Sequence, residues 1–506
     1  MSRVKSRPPL RLIMFTSESC KFCPQVESIV KKFVGSNIGT SVSLTTVDVD
    51  LSPETAMQFG IKNLPTVVMG SGNASFDTIV EGYMEAEDIR DRLMNRIFHN
   101  VLSGDTASAK RKENLIWLTK NVIDSVQKKN LIRPNIGDYV HLQSLQINNM
   151  SILALDPIAS VLLYESGRVY GMYGPGQMLL FKSNPNIANQ IKIIPKFHEL
   201  MQAITSIFNY KYFPIQIAES AEIIEQKDLC SVIRLYGSAY AVGAPKIGET
   251  LCPSLAGELA GLIQSIMARF VRVEEISCWG TGSQYCEFKI DVLDDEVPIH
   301  PDSKSINEMS GKKDVQKRRN IFINTLAEMA ENLQSSLMFK KQLRNFGDYV
   351  HISVIQQAFT ALKIIDPFCG MLLHSAGVTF GLTADKRIIN DSLQKRNQTI
   401  PISIESAVEI IVEELQHPST LLTRQHSFVS FQISSTTGDD DKEIFINIHE
   451  LAYASGATNV EETFCDFMAG FINGRLQLLV IEETLVKEIA CSGTGSDVCI
   501  FKISIE

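Results

Sequence analysis

A set of three cysteines and one glutamate occurs twice in the chain with the same spacing. The two copies are Cys252, Glu275, Cys278 and Cys286, and then Cys465, Glu488, Cys491 and Cys499. In each copy the middle cysteine lies three residues after the glutamate, 26 after the first cysteine and eight before the last. Three thiolates and a carboxylate suit tetrahedral zinc best, with iron as the alternative metal. The spacing predicts two zinc ions per chain, and buried core cysteines are the competing interpretation.

The segments around each set predict a β-hairpin that carries three of its four residues. In the first copy, residues 271–278 alternate as a strand does, a Gly-Thr-Gly turn follows, and residues 286–290 form the return strand. The second copy repeats this pattern. Cys252 follows Glu249 and Thr250, which indicate a helix start. We therefore expect this thiol in the first helical turn, where the helix dipole favours the thiolate.

The composition excludes several classes of protein. With 506 residues, 44% of them hydrophobic and 21% charged, the chain is globular and long enough for about three domains. A net charge of −9 gives no bulk electrostatic signal for nucleic acid. No segment reaches the ~18 apolar residues of a membrane helix, and the apolar run at 12–15 is too short for a signal peptide. We expect a cytoplasmic protein with no nucleic acid partner and no membrane insertion.

Residues 10–99 predict the element order β-α-β-α-β-β-α. The predicted strands are 10–16, 42–48, 64–69 and 76–80, and the predicted helices are 24–33, 53–59 and 85–97. Cys20 and Cys23 form a Cys-x-x-Cys motif between the first strand and the first helix, which is a dithiol redox signature. We expect Cys20, which precedes the helix, to be the more acidic thiol, and Cys23 to lie one turn inside it.

This segment resembles the thioredoxin/glutaredoxin family. The resemblance rests on Cys20, Cys23, the Leu-Pro-Thr sequence at 64–66 and Gly82. It implies a redox site in which Cys20 is the nucleophile, Cys23 resolves, and Pro65 is cis and faces the dithiol. Met14 stands where thioredoxins have a buried acid, and the turn before the motif is more similar to that of a glutaredoxin. A zinc half-site, or a degenerate domain retained for docking, is the alternative.

The rest of the chain consists of two related blocks. The sequence Gly-Asp-Tyr-Val-His at 137–141 recurs at 347–351, and Ala-Tyr-Ala-x-Gly-Ala at 239–244 recurs at 452–457. The offset grows from 210 to 213 residues, so one small insertion separates the copies. Amphipathic stretches lead both blocks, at 114–126 and 319–333. The predicted domains are 1–100, 111–293 and 315–506, joined by linkers at 100–112 and 294–305.

Each block is predicted to be α+β with one antiparallel sheet. In the first block the predicted helices are 141–150, 157–171, 194–208 and 249–269, and the strands near 214–222 and 229–236 precede the hairpin. Among the repeated residues, His141 and His351 are expected to form a structural hydrogen bond to a nearby carbonyl. Tyr240 and Tyr453 recur beside a glycine and either pack in the core or contact a ligand in a pocket.

Both blocks resemble the 4-vinyl reductase (4VR) domain over nearly their full length. The resemblance rests on Gly-Asp-Tyr-Val, on a Leu-x-Tyr-x-x-Gly-x-x-x-Gly helix, on Ala-Tyr-x-x-Gly-Ala, and above all on the two cysteine–glutamate sets, which match the family's zinc ligands. It implies a hydrocarbon-binding module that commonly dimerises. The expected fold is thus multi-domain α/β and α+β, a thioredoxin-like domain followed by two tandem 4-vinyl-reductase-type domains with antiparallel sheets.

These features predict a redox-linked protein that binds or senses an apolar small molecule and exchanges thiols with a redox protein partner. One alternative is a thiol–disulfide oxidoreductase that acts through Cys20 and Cys23 while the repeats recruit its substrate. Another is a non-catalytic assembly module. Because two related domains joined by a short linker have a high effective concentration, about millimolar, we expect the repeats to pair with each other within one chain. Their pockets are expected to differ because Tyr164 in one copy is His374 in the other.

Overall fold

The chain folds into two compact units, Met1–Thr106 and Ala107–Glu506. The structure is a computed structural model. It describes residues 10–34, 42–71, 77–84, 89, 110–119, 131–174, 196–209, 217–267, 269–293, 312–339, 348–365, 369–384, 386–417, 425–435, 442–457 and 462–505. The predicted helix at 85–97, apart from Ile89, lies outside these residues, as do the linker at 294–305 and most of the linker at 100–112.

The first unit contains a four-stranded mixed sheet with two helices in its described part. Its elements are β1 (Leu10–Thr16), α1 (Cys23–Val34), β2 (Val42–Asp48), α2 (Pro53–Gln58), β3 (Thr66–Ser71) and β4 (Asp77–Glu81). The strand order is β2-β1-β3-β4, with β1 parallel to β2 and antiparallel to β3. Phe15, Ala56 and Val68 form part of the core between sheet and helix. The predicted order is confirmed up to β4.

The first repeat joins a group of helices to a four-stranded antiparallel sheet. Its elements are α3 (110–119), β5 (Tyr139–His141), α4 (Leu142–Leu153), α5 (Ala159–Tyr173), α6 (Phe197–Phe208), β6 (Ser220–Gln226), β7 (Cys230–Tyr236), α7 (Pro253–Met267), β8 (Phe270–Ser277) and β9 (Cys286–Leu293). The sheet order is β6-β7-β9-β8. The prediction placed the start of β6 too early. It also began α7 near residue 249, whereas the helix begins at Pro253, a residue suited to the first helical position.

The second repeat has a similar order of elements, with one further helix, α11, in the described ranges. Its elements are α8 (Lys312–Phe339), β10 (Tyr349–His351), α9 (Ile352–Ile365), α10 (Cys369–Thr383), α11 (Arg387–Lys395), α12 (Ile404–Gln416), β11 (Phe428–Ser435), β12 (Lys442–His449), α13 (Asp466–Leu479), β13 (Thr484–Ala490) and β14 (Val498–Ile505). The sheet order is β11-β12-β14-β13. None of the helices in the described ranges is both long and apolar enough to cross a bilayer.

Glycines let two helices of each repeat pack backbone against backbone. In the first repeat, a Cβ on Gly257 of α7 would lie 1.8 Å from the Tyr164 carbonyl oxygen of α5. In the second, a Cβ on Gly470 of α13 would lie 1.9 Å from the His374 carbonyl oxygen of α10. Any side chain there would force the helices apart, which explains the repeated glycine spacing.

The two repeats pair with each other within one chain. Strands β5 and β10 form an antiparallel ladder centred on Val140 and Val350. Two further backbone bonds extend it symmetrically: the Leu142 N–H donates to the Asp348 carbonyl, and the Ile352 N–H donates to the Asp138 carbonyl, both at 2.9 Å. The predicted intramolecular pairing is therefore confirmed.

Each repeat's leading helix binds the other repeat. Arg111 of α3 forms an ion pair with Glu462 of the second repeat at 2.7 Å. Arg318 of α8 forms an ion pair with Glu249 of the first repeat at 2.8 Å, and its guanidinium also donates to the Leu153 carbonyl. Glu249 and Glu462 occupy equivalent positions, three residues before the first cysteine of each set. The leading helices are thus exchanged in part: each binds the other repeat, while α8 also contacts α10 of its own repeat.

Candidate functional site

The first cysteine–glutamate set converges on one point. The ligand atoms of Cys252, Glu275, Cys278 and Cys286 all lie within 4.8 Å of one another. Cys252 immediately precedes α7, Glu275 lies on β8, and the other two cysteines flank the turn between β8 and β9. The Sγ atoms of Cys252 and Cys286 are 3.6 Å apart. All three thiols are buried.

The second set converges less completely. Cys465, Glu488 and Cys499 lie within the same 4.8 Å limit, and the Sγ atoms of Cys465 and Cys499 are again 3.6 Å apart. Cys491 falls outside this group, and its thiol lies 3.7 Å from the Glu462 carbonyl oxygen. Cys491 still lies beside Cys465, and the hydrogen bond between the two thiols lowers the pKa of Cys491 to about 6. The structure therefore brings together three of the four predicted residues and places the fourth beside them.

Each glutamate presents one oxygen that has no hydrogen-bond partner. Oε2 of Glu275 accepts from the Cys252 N–H, and Oε2 of Glu488 accepts from the Cys465 N–H, both at 2.8 Å. The two Oε1 atoms are buried, and no group in the described residues donates to them. Burial raises the pKa of Glu275 well above its usual range and that of Glu488 to about 8. A bound cation among the thiols would satisfy these oxygens, so the donor set fits a metal.

The expected acidity of the leading thiols is wrong. Cys252 and Cys465 stand just before their helices, not inside the first turn, and burial raises the pKa of both well above the usual value. Desolvation outweighs the helix dipole here. The acidic thiol of the first set is instead Cys278, because hydrogen bonds from Cys252 and Cys286 lower its pKa to about 3.

A threonine in each hairpin positions the middle cysteine, and the sequence analysis missed it. Thr281 Oγ1 accepts from the Cys278 N–H at 3.0 Å and donates to the Cys278 carbonyl at 2.8 Å. Thr494 does the same for Cys491. The glycine that follows has φ of +98° in the first hairpin and +87° in the second, which requires glycine. The repeated Gly-Thr-Gly sequence was the available signal.

The Cys-x-x-Cys motif holds a disulfide at the edge of the first unit. Cys20 and Cys23 are bonded to each other; Cys20 is partly exposed and Cys23 is buried. Cys23 is the first residue of α1, so the expectation that it lies one turn inside the helix is wrong. The Leu64–Pro65 peptide bond is cis. The rings of Phe22 and Tyr83, 40% and 44% exposed, lie 4.6 Å apart in the same unit.

The two candidate ligand-binding tyrosines have different surroundings. Tyr453 packs on Phe359 with ring centroids 5.5 Å apart, and its hydroxyl donates to Oδ1 of Asn148 in the first repeat at 3.2 Å. Tyr453 is thus a core and interface residue. Tyr240 is equally buried, but in the described ranges its hydroxyl has no hydrogen-bond partner.

Nδ1 of each repeated histidine binds a backbone N–H at the start of the helix that follows it. Nδ1 of His141 accepts from the Gln143 N–H at 3.3 Å and caps α4. Nδ1 of His351 accepts from the Ser353 N–H at 3.2 Å. The first amides of a helix have no partner within the helix, so these histidines have a structural capping role. The expected hydrogen bond to a carbonyl stays a prediction.

Comparison with known families identifies the parts of the chain. The thioredoxin model matches residues 2–95, and the V4R domain model matches residues 231–292 and 444–505. Each V4R match contains one complete cysteine–glutamate set. The chain therefore contains a thioredoxin domain followed by two V4R domains. These domains and the Cys20–Cys23 pair support a redox-linked small-molecule-binding protein, and its two cysteine-rich clusters could bind metal.

Individual relatives are similar over short stretches. Two are uncharacterised proteins of Methanocaldococcus jannaschii, one 34% identical over 64 residues and 13% of this chain, the other 32% identical over 71 residues and 14% of this chain. The chain spans only 40% of the length of each of these curated relatives.

Two solved structures are also similar to parts of the chain. The structure of a malarial protein is 18% identical, has a TM-score of 0.15, and is covered over 96% of its length and 17% of this chain. The phenol-responsive sensory domain of the transcription activator PoxR, solved with phenol, is 12% identical, has a TM-score of 0.21, and is covered over 82% of its length and 34% of this chain. Scores this low carry no argument about the function of this chain.

Proposed function

We propose that this protein binds a mainly apolar small molecule in its repeats and couples that binding to the redox state of the Cys20–Cys23 pair. The observation that carries the proposal is that one chain joins a partly exposed disulfide to two domains that each contain a buried thiol–carboxylate centre. The partner for the disulfide would be a redox protein. A reducing, cytoplasmic setting suits the thiols of the two centres.

Each centre would hold one zinc ion in a structural role. The ligands would be Cys252, Glu275, Cys278 and Cys286 in the first repeat, and Cys465, Glu488, Cys491 and Cys499 in the second. Bound zinc supplies a cross-link, because four protein ligands leave no open position for substrate. The unpartnered Oε1 atoms of the two glutamates support this assignment. Occupying the second centre would require Cys491 to move toward its neighbours.

The dithiol would act by thiol–disulfide exchange. In the reduced domain, the Cys20 thiolate attacks one sulfur of a partner disulfide and releases the other partner sulfur as a thiolate. The Cys23 thiolate then attacks the Cys20 sulfur, which re-forms the Cys20–Cys23 disulfide and releases the second partner thiol. The partner gains two electrons and the domain loses two. The greater exposure of Cys20 supports its role as the attacking thiol.

Native mass spectrometry of the full chain purified from its own cells tests the proposal. We expect two zinc ions and a small organic molecule on a folded chain. Protein that retains its metal but carries no organic mass would refute ligand binding, and protein without zinc or iron would refute the metal centres.

A second candidate function is thiol–disulfide oxidoreductase activity, favoured by the exposed rings of Phe22 and Tyr83 in the dithiol unit. The variant Cys23→Ser should trap a mixed disulfide through Cys20, because the resolving thiol is gone. The matched control is Cys20→Ser, which should trap nothing. Equal alkylation of both thiols at neutral pH with no trapped partner would leave the docking interpretation of this domain.

A further inference from the structure

The interior of the second repeat is filled by a cluster of aromatic rings. The cluster consists of Phe359, Phe380, Tyr453, Phe467 and Phe471. Neighbouring ring centroids lie 5.5–6.4 Å apart, within the range of favourable aromatic packing. All five side chains are buried.

The equivalent positions of the first repeat carry smaller or polar side chains. With the offset of 210 residues before the insertion and 213 after it, they are Asn149, Tyr170, Tyr240, Ser254 and Glu258. Three phenylalanines of the second repeat are thus replaced by asparagine, serine and glutamate. Three of the five rings of the second interior are thus missing from the first, while the surrounding helices pack by the same glycine contacts.

Three of these polar side chains have no hydrogen-bond partner among the residues that the structure describes. Tyr170 is 9% exposed and Tyr240 is 5% exposed, and in the part of the chain that the structure describes neither hydroxyl has a hydrogen bond. Glu258 likewise has neither a hydrogen bond nor an ion pair among the described residues. Tyr453 differs because its hydroxyl binds Asn148 of the other repeat. The residue equivalent to Asn148 that could serve Tyr240 in the same way is Ala358, whose side chain has no acceptor.

The three groups belong to one locality. A Cβ on Gly171 would lie 2.1 Å from the Glu258 carbonyl oxygen, so Glu258 of α7 packs against the turn of α5 that carries Tyr170. Burial raises the pKa of both Tyr170 and Tyr240, and the nearby charge of Glu258 raises each of them further. The guanidinium of Arg168, two residues before Tyr170 on α5, is bound to Glu165 at 2.6 Å.

From this geometry we infer that Tyr170, Tyr240 and Glu258 form a ligand site in the first repeat. The ligand is a small, mostly apolar amine that binds as its ammonium cation. One amine binds per chain, in the first repeat, and the second repeat binds no amine. The carboxyl group of Glu258 is partly exposed and has no cation beside it among the described residues. An ammonium group that binds next to it would favour its ionised form, so the two groups are complementary. Tyrosine rings attract cations through their faces, and their hydroxyls accept hydrogen bonds from N–H groups. The inference rests on the proposed small-molecule binding and names the chemical class of the ligand.

The test is calorimetric titration of the full-length, zinc-loaded chain with 2-phenylethylamine and with its neutral counterpart 2-phenylethanol. We expect one amine bound per chain and at least tenfold weaker binding of the alcohol, because a charge-assisted hydrogen bond is lost. Glu258→Gln should weaken amine binding at least tenfold and leave alcohol binding unchanged. The matched control, Phe471→Leu at the equivalent position of the second repeat, should leave amine binding unchanged.

Equal binding of the two probes, unchanged amine binding by Glu258→Gln, two amines per chain, or no amine binding at all would overturn the inference. If Glu258→Gln does not fold, as judged by zinc content and circular dichroism, Tyr240→Phe serves in its place and should weaken amine binding severalfold. Native mass spectrometry separates the two proposals. An organic molecule retained by Glu258→Gln from cells would leave small-molecule binding standing while removing this site.

Discussion

The two repeats share a backbone plan and a cysteine–glutamate centre but differ in what occupies their interiors. Both keep the glycine contacts between helices, the threonine-anchored hairpin and the exchanged leading helix. Tyr164 and His374, chemically different, both contact the equivalent strand valine, in opposite senses: the Tyr164 hydroxyl accepts from the Val273 N–H, whereas burial lowers the pKa of His374 and a hydrogen bond to the Val486 backbone partly offsets this. The parts that hold the fold together are therefore present twice, and divergence is concentrated in side chains that line the interior.

The second repeat also replaces an apolar contact with a buried ion pair. Arg475 of α13 and Glu414 of α12 pair at 2.5 Å, and both are almost fully buried. Arg475 also donates to the Gly381 carbonyl at 2.8 Å. The equivalent residue of the first repeat is Leu262. Together with the aromatic cluster, this pair makes the second repeat a rigid, filled partner for the first.

The largest expected effect concerns the feature that the repeats share. Cys278→Ser should reduce metal content by one ion per chain and lower the free energy of unfolding by on the order of 5 kcal/mol, because the first hairpin loses its cross-link to α7. Metal analysis and urea unfolding measure both. Cys230→Ser is the control, because that thiol lies on β7 outside the set. This variant should leave the metal content unchanged. Equal effects of the two variants would argue for core cysteines in place of ligands.

The next effect should be confined to the second repeat. Glu414→Gln leaves the Arg475 guanidinium buried without its counter-ion and should destabilise the protein by roughly 3 kcal/mol. Leu262→Met, a volume-conserving change at the position equivalent to Arg475, should cost less than about 1 kcal/mol. Chemical unfolding of both variants measures the difference. Similar losses would show that the repeats are not distinguished by this pair.

A third expectation concerns the first repeat and depends on pH. Burial raises the pKa of Glu258 from 4.5 to about 8. The unfolded chain ionises this group above its ordinary pKa while the folded chain keeps it protonated, so its contribution to stability is full below pH 4.5 and is lost as the pH rises toward 8. Glu258→Gln should thus be more stable than the wild type at pH 8, by on the order of 2 kcal/mol, with little difference near pH 5. Urea unfolding at the two pH values measures this, and a pH-independent difference would contradict it.

The smallest effect compares one hydroxyl in the two repeats. Tyr453→Phe removes the hydrogen bond to Asn148 and should cost about 1 kcal/mol. Tyr240→Phe removes a hydroxyl without a described partner and should leave stability unchanged within about 0.5 kcal/mol. Thermal unfolding of the ligand-free variants measures both. An equal loss of stability in Tyr240→Phe and Tyr453→Phe would mean that the two interiors resemble each other more than their sequences do.

The sequence predicted the elements whose residues follow a local period. The strands of the dithiol unit, the hairpins around Cys278 and Cys491, and the helices that begin near 142 and 159 all follow from alternation or helical spacing. It also predicted the convergence of the first set, because identical spacing on a hairpin and a helix leaves few other arrangements.

The features that the sequence did not predict depend on contacts between distant segments. Burial, which decides the pKa of Cys252, is a property of the assembled core. The acceptor for Tyr453 is Asn148, which lies in the other repeat, 305 residues away. An amphipathic stripe on α3 or α8 shows that the helix needs a partner but does not show which repeat supplies it.

The exchanged leading helices mean that the boundary of each repeat along the chain is not its boundary in space. The surface that α8 covers includes Glu249 of the first repeat, and the surface that α3 covers includes Glu462 of the second. A fragment cut between the repeats would carry its own leading helix but lack the one that it needs. Two copies of such a fragment could complete each other by swapping helices, in the manner of a domain-swapped dimer. The tandem chain thus makes, within one covalent chain, contacts that single repeats could make only between subunits, and each half can carry its own interior side chains.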